Sequence, residues 1–388
     1  MKEIDFDVPS NSVSASSDSA VELPDLDLGV MPEGPSYVVE ADAKPLAVKF
    51  GIIGTGQGGN RLADTFYQMG YRRVCAVNTT PQDFLGLQLP KKNLLVLGKE
   101  AAGAGKDPQR GAAALNSAKE EVLNLMRHSF GEDIERILIT VGFGGGSGSG
   151  SWKGLIELAK LYLRQLGKPE KVGLMISMPK KSEGGKVQAN AYSCMQELNK
   201  LVADKEVSPV VIADNESIHR MFPDVPAKDF WSTANRNTIG YFDIFNLLAN
   251  QQSQYVTFDK ADYQSMLDSG IIIFGATKLD SYQRDTDIAD GLRQNLKRTL
   301  LADLDIANAS HVAAVLCAPD AILGVLPQSH IDRAFDTLER ILNGESRKLI
   351  VHQGVYEAKR VGLFLYTMVG GLQLPYERMN LMAARAGI

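Results

Sequence analysis

Cysteine is scarce in this chain. Cys75, Cys194 and Cys317 are the only three in 388 residues, they lie far apart, and no CxxC pair occurs. That excludes a disulfide framework and a cysteine zinc site, and it fits a reducing, cytoplasmic compartment. Long apolar runs are missing as well. The best candidate for a span, HVAAVLCAPDAILGVL at 311–326, is interrupted by Pro319 and Asp320, so no stretch of about 18 apolar residues is available to cross a membrane. The five histidines, His128, His219, His311, His330 and His352, form no HExxH or other paired spacing and are read as structural. A basic surplus is lacking too: net charge is −5, not the footprint of a dedicated nucleic-acid binder. The N-terminus has neither the basic start nor the apolar stretch of a secretory signal.

What the chain does contain is unevenly spread. Residues 1–46 hold ten acids against Lys2 and Lys44, a balance of −8, which leaves the remainder near +3. This segment lacks periodicity and is serine-rich around NSVSASSDSA, so it reads as a mostly disordered extension. Two acidic-apolar pieces within it, KEIDFDVP and VELPDLDLGVM, could dock on a neighbouring subunit or another partner. From Leu46 short apolar strands alternate with helices, starting with LAVKFGIIG and NRLADTFYQMG. This order predicts an α/β fold with a doubly wound, mostly parallel nucleotide-binding sheet. The expected division is 47–227 for that domain and 228–254 for a long central helix. Residues 255–388 are then a second, smaller α/β domain with a mixed sheet and a closing helix. The stretch AAALNSAKEEVLNLMRHSF reads as one further long helix.

Glycine is where the chain is richest, with 36 residues. Three glycine-rich loops follow predicted strands: GTGQGGN at 54–60, AAGAGKDPQRG at 101–111, and GFGGGSGSG at 142–150. In open α/β sheets that end of the strands is where ligands bind. Backbone N–H groups turning into a helix N-terminus form an anion cradle, and the Ser147 and Ser149 hydroxyls can add donors. The third loop lacks the lysine of GxxxxGK[ST] and any GxSxG register. A phosphate cradle of another kind is the expectation. The match of GTGQGG to GxGxxG raises a NAD-dependent oxidoreductase as an alternative. That class wants an acid at the end of the second strand, where AVNTT offers Asn78.

GFGGGSGSG resembles the GGGTGTG/GGGTGSG signature of the tubulin/FtsZ superfamily, with serine for threonine. GTGQGGN, AVNTT and GAGKDP follow the order of that family's other nucleotide loops, and the resemblance runs from about Lys49 to Gly371. The wording is similar to the bacterial plasmid and phage branch, the TubZ and PhuZ types. The resemblance implies GTP/GDP and Mg2+ as cofactors. It places Gly144, Gly145, Gly146, Ser147, Gly148, Ser149 and Gly150 around the phosphates, with Gln57 and Gly58 over the α/β-phosphates. Gly103, Ala104 and Gly105 then approach the γ-phosphate, and Asn78 and Thr79 lie near it and the magnesium. Glu183 stands where the family binds ribose, although Val187 replaces an arginine four positions on, with Lys186 as a substitute. Asn215 reads guanine, or Asp214 if the register slips by one. Trp231 and Asn235, at i and i+4 on one helical face, stack on the base and pair with its edge. In TFDKADYQ, Asp259 and Asp262 match the family's catalytic acids, which reach into the next subunit, while Thr257 replaces an asparagine.

Head-to-tail polymerisation with hydrolysis at the subunit interface is the function this implies, with the chain itself as principal partner. Because the sequence closes at PYERMNLMAARAGI, positioning of plasmid or phage DNA, through a DNA-bound adaptor or cargo, is expected over an FtsZ-like division role. A nucleotide-binding module without turnover is the remaining alternative, suggested by Thr257.

Overall fold

The computed structural model describes residues 39–98, 102–279, 281–297, 302–342, 348–359 and 361–388. KEIDFDVP, VELPDLDLGVM and the rest of 1–38 lie outside the described residues. The last part of the acidic extension does not match the expectation of disorder. Asp42 forms a buried ion pair with Arg73 and accepts the Arg72 backbone N–H at 2.8 Å. Lys44 reaches Asp243 at 2.5 Å and lies over the Tyr71 ring. Two ion pairs, Asp42 with Arg73 and Lys44 with Asp243, tie this strap to the body where sequence polarity alone suggested solvent.

The first half runs β1 (Phe50–Thr55), α1 (Gly56–Gln68), β2 (Val74–Asn78), β3 (Leu94–Val96), α2 (Pro108–Ser117), α3 (Lys119–Phe130), β4 (Arg136–Gly142), α4 (Gly146–Gln165), β5 (Val172–Met178), α5 (Gly185–Ala203) and β6 (Val210–Asp214). Then come α6 (Asn215–Met221), α7 (Ala227–Leu248), α8 (Lys260–Leu267), β7 (Ile271–Leu279), α9 (Asp287–Lys297), β8 (His311–Ala318), α10 (Asp320–Leu323), α11 (Gln328–Leu342), β9 (Ile350–Glu357), β10 (Leu363–Leu372) and α12 (Tyr376–Ala386). The strands join in one ten-stranded sheet of order β3-β2-β1-β4-β5-β6-β7-β10-β8-β9. Strands β1 to β6 pair in parallel, and β10 runs antiparallel to both β7 and β8. The expected mixed sheet of the second half is therefore present. It is continuous with the first through a short seam, Val210↔Ile271 and Val211↔Ile272.

Burial explains the strand sequences. Every residue of β1, β2 and β6 is buried, as expected for parallel strands covered on both faces. Strand order reverses at β1, whose neighbours are β2 and β4, so the connections leaving β1 and β4 run apart and open a crevice above the strand ends.

Two helices differ from the sequence reading. The long helix after 111 breaks at Ala118, with φ −122° and ψ 22°: α2 packs chiefly on α4, whereas α3 turns to pack on β1 to β3 as well as on α4. The central helix ends at Leu248 rather than residue 254, and it passes Gly240 unbroken. Its core face is Ile239, Phe242, Phe245 and Leu248, with Ile244 and Leu247 only half-buried. Phe242 meets Phe50 and Phe66 edge-on at 5.2 and 5.7 Å, while Phe245 meets Phe258 at 5.7 Å and Phe274 at 5.9 Å. Aromatic contacts from one helix thus bind both halves of the sheet to a common spine.

Candidate nucleotide site and its interface acids

The crevice over β1 and β4 is a cleft of about 420 Å³. Two helices point their N-termini toward it, α1 at Gly56 and α4 at Gly146, and neither has an acid in its first turn. The amide ends and dipoles of 13- and 20-residue helices make the floor attractive to anions.

The cleft brings together most of the residues expected from the sequence. Gln57, Gly58, Thr79, Gly103, Ala104, Gly105, Gly145, Gly146, Ser147, Gly148, Glu183, Asn215, Trp231 and Asn235 all line it. Thr79 and Ser147 place their hydroxyl oxygens 2.6 Å apart. At the other end Trp231 packs edge-on against Phe230 at 5.1 Å, and the Lys180 ammonium lies 5.6 Å from its ring centre. One face of α7 therefore offers an aromatic plane and an amide four residues apart, the geometry that stacking and edge pairing of a base require.

Four expected residues are absent from the cleft wall. Asn78 is fully buried beneath it: its Oδ1 accepts the Thr79 N–H and its Nδ2 donates to Asp83, both at 2.8 Å. It shapes the loop that presents Thr79. Ser149 turns inward and accepts the Gly144 N–H at 2.8 Å, so its side chain braces the loop rather than lining the cleft. Gly144 bends with φ +108° and packs against Val187. Gly150 faces α2: a Cβ there would meet the Pro108 carbonyl at 2.0 Å. The glycine run is thus explained on two sides. Gly145 has nothing within 4 Å of where a Cβ would stand, whereas Gly150 lets two helix backbones touch.

Asp214, the alternative to Asn215, does not line the cleft. Its carboxylate is buried, accepts from Arg378 Nε at 3.0 Å, and caps α6 through the Glu216 N–H. Burial pushes this carboxyl up from its ordinary value, with Arg378 pulling it back. Asn215, the next residue, lines the cleft. Lys186 is not among the lining residues, and Val187 is.

Sequence reasoning missed several lining residues. Arg61, one residue past GTGQGGN, and Lys106 bring positive charge to the walls, while Asp83 brings a carboxylate and Ser177 another hydroxyl. Arg61 was open to discovery, since it stands one helical turn after Gln57. Asn190 is less legible: from α5 its amide donates to the carbonyls of Lys106 and Gly144, both at 3.0 Å, which ties two glycine loops together across 84 and 46 residues of chain.

Asp259 and Asp262 lie elsewhere. Asp259 caps α8, with Oδ1 accepting the N–H groups of Ala261 and Asp262, and Asp262 returns a capping-box contact to the Asp259 N–H at 3.2 Å. Thr257 accepts the Ser253 N–H at 3.2 Å within the same turn. Helix α7 separates this loop from the cleft. Trp231 is near its start and Leu248 at its end, about 25 Å apart at 1.5 Å per residue.

Among the described residues no group of three or more histidine, cysteine or acidic side chains could hold a metal, and no helix is long and apolar enough to cross a membrane.

Comparison with known proteins places this geometry. Residues 49–223 match the model of the Tubulin/FtsZ family, GTPase domain. The tubulin-like protein TubZ of Bacillus cereus is 26% identical over 261 residues, covering 62% of this chain and 58% of TubZ. The crystal structure of a GTPγS-form protofilament of TubZ from Bacillus thuringiensis serovar israelensis superposes with a TM-score of 0.74 at 20% identity, over 89% of this chain and 92% of that one. A structure described as type III plasmid segregation TubZ gives 0.71 at 19% identity, over 89% and 93%. The fold, the order of its glycine loops and the matched region agree: residues 49–223 match the GTPase domain of the Tubulin/FtsZ family, and the whole described body shares the fold of the TubZ structures.

Proposed function

We propose that this protein binds GTP in the cleft, polymerises head to tail, and hydrolyses GTP only where the Asp259–Asp262 loop of one subunit meets the cleft of the next. The observation behind this reading is the separation of two incomplete halves. One end of α7 has an anion floor and a base-facing wall without the expected acids, and the other end has those acids without a phosphate site. A translated copy completes both, and a contact between unlike ends that does not close gives a filament. Leu85, 81% exposed on the turn after Asp83 at the cleft side, adds apolar surface for such a contact.

Gly145, Gly146 and Ser147 bind the phosphates, Glu183 the ribose, and Trp231, Asn235 and Asn215 the guanine. The cleft's hard oxygen donors, the Thr79 and Ser147 hydroxyls and the Asp83 carboxylate, suit magnesium, which favours oxygen ligands and keeps several waters beside phosphate. Magnesium bound with the triphosphate would offset the repulsion between phosphates and the incoming carboxylates. Asp262 then orients the attacking water and takes its proton. The NAD reading is disfavoured on the same residues: where it needs a ribose-binding acid stands Asn78, buried, donating to Asp83 and accepting the Thr79 N–H. The likeness to plasmid-segregation TubZ supports DNA positioning as the job of the polymer.

Sedimentation tests the core of this reading. The protein should pellet with GTP and magnesium but not with ATP or NAD; pelleting that ignores the nucleotide would contradict it. Trp231→Ala removes the stacking plane and is expected to weaken GTP binding by about 1–3 kcal/mol, measured by calorimetric titration. Unchanged affinity would remove the base from that wall.

A further inference from the structure

The loop that holds the acids is splinted from outside by β9, the last strand of the sheet order. Tyr356 grips Phe258 from both sides: its hydroxyl accepts the Phe258 N–H at 2.9 Å and donates to the Phe258 carbonyl at 2.8 Å. Val355 donates its N–H to the Val256 carbonyl at 2.9 Å. Four residues before Tyr356, His352 meets α8. Its Nδ1 lies 2.8 Å from Asp262 Oδ1, and its Nε2 lies 3.2 Å from the Ser265 Oγ. The ring stands edge-on to Phe258, with centroids 6.3 Å apart.

We propose that His352 is a positioning residue for hydrolysis, aiming the Asp262 carboxylate at the neighbouring subunit's nucleotide. The inference rests on the reading that Asp262 acts across the interface. A carboxylate rotates broadly about its last torsion, so an unbraced Asp262 would sample many orientations. Two contacts fix it here: Nδ1–H of His352 on Oδ1, and the Asp259 N–H on Oδ2. Each carboxylate oxygen has two acceptor sites, so one on each remains for water. The brace survives a change in the imidazole's charge. The neutral ring donates through Nδ1 and accepts the Ser265 hydroxyl proton at Nε2; the protonated ring donates at both nitrogens, with Ser265 Oγ as acceptor. A misplacement of 1 Å in a reacting group can cost about a hundredfold, which sets the scale of what a brace can contribute.

The test compares GTP turnover per polymerised subunit for wild type, His352→Leu, His352→Asn, His352→Gln and Asp262→Ala, alongside monomer GTP affinity. His352→Leu should lower turnover by about tenfold or more while affinity, set some 25 Å away along α7, stays unchanged. Asn places its amide nitrogen where Nδ1 lies and should restore most of the rate; Gln reaches toward the Nε2 position and should restore little. A brace that only stabilised the fold would make Asn and Gln behave alike, and that result overturns the inference. So does wild-type turnover in His352→Leu beside an inactive Asp262→Ala. Normal turnover in Asp262→Ala would overturn the catalytic reading and this inference with it.

Discussion

Asp262→Ala is expected to bind GTP as wild type does, to polymerise, and to turn GTP over about 10²–10⁴-fold more slowly, leaving filaments that persist. Binding should survive because Asp262 is not among the cleft-lining residues, whereas loss of the carboxylate removes the group proposed to take a proton from water. Asp262 is a cleaner target than Asp259, whose Oδ1 caps α8 through two N–H groups; removing that cap would cost about 1 kcal/mol of local stability and blur the result. Steady-state phosphate release and filament lifetime by light scattering decide the matter. Loss of GTP binding in this variant would overturn the assignment of Asp262 to the far end of the subunit.

Arg378→Ala is expected to destabilise the fold by about 3–5 kcal/mol at neutral pH, because a buried pair broken from one side leaves the other charge uncompensated. Arg378 on α12 holds Asp214 at 3.0 Å and also donates to the Pro179 carbonyl. Asp214 in turn caps the helix that begins with Asn215. GTP affinity should therefore fall with stability, although α12 contributes nothing to the cleft wall. The pH dependence has a definite sign. Burial raises the Asp214 carboxyl even with Arg378 present, so the folded state holds that proton more tightly than the unfolded one. Stability from this group falls as pH rises from the ordinary aspartate range through the raised value. Without Arg378 the penalty for the ionised form grows, and the deficit of the variant should shrink as the solution is acidified. Denaturant unfolding at neutral and mildly acidic pH measures it; an equal deficit at both would mean the pair contributes packing rather than charge.

Sequence made the site far more legible than its supports. GFGGGSGSG, GTGQGGN and the Trp231–Asn235 spacing lead to the cleft because local chemistry dictates them: amides at a helix start, and two side chains on one helical face. What sequence concealed depends on contacts between distant segments. Gly150 looks like a phosphate glycine until α2 is seen lying against it. Ser149 looks like a donor to ligand until it is seen buried off the cleft wall, accepting the Gly144 N–H. Asn78 looks like a γ-phosphate residue, yet it is a post beneath Thr79. His352 reads as one structural histidine among five, and only the fold of β9 over α8 brings it to Asp262. The Asp42 and Lys44 strap was hidden for the same reason, since a run of acids predicts solvent unless Arg73 and Asp243 arrive from elsewhere in the chain.

The claim that everything else depends on is that no subunit hydrolyses GTP alone. GTP turnover measured against total protein concentration tests it most directly, with polymer mass followed in the same samples. Negligible turnover is expected up to the concentration at which polymer first appears, then a rate rising in proportion to polymer. Turnover proportional to total protein from the lowest concentrations, with no polymer present, would contradict it.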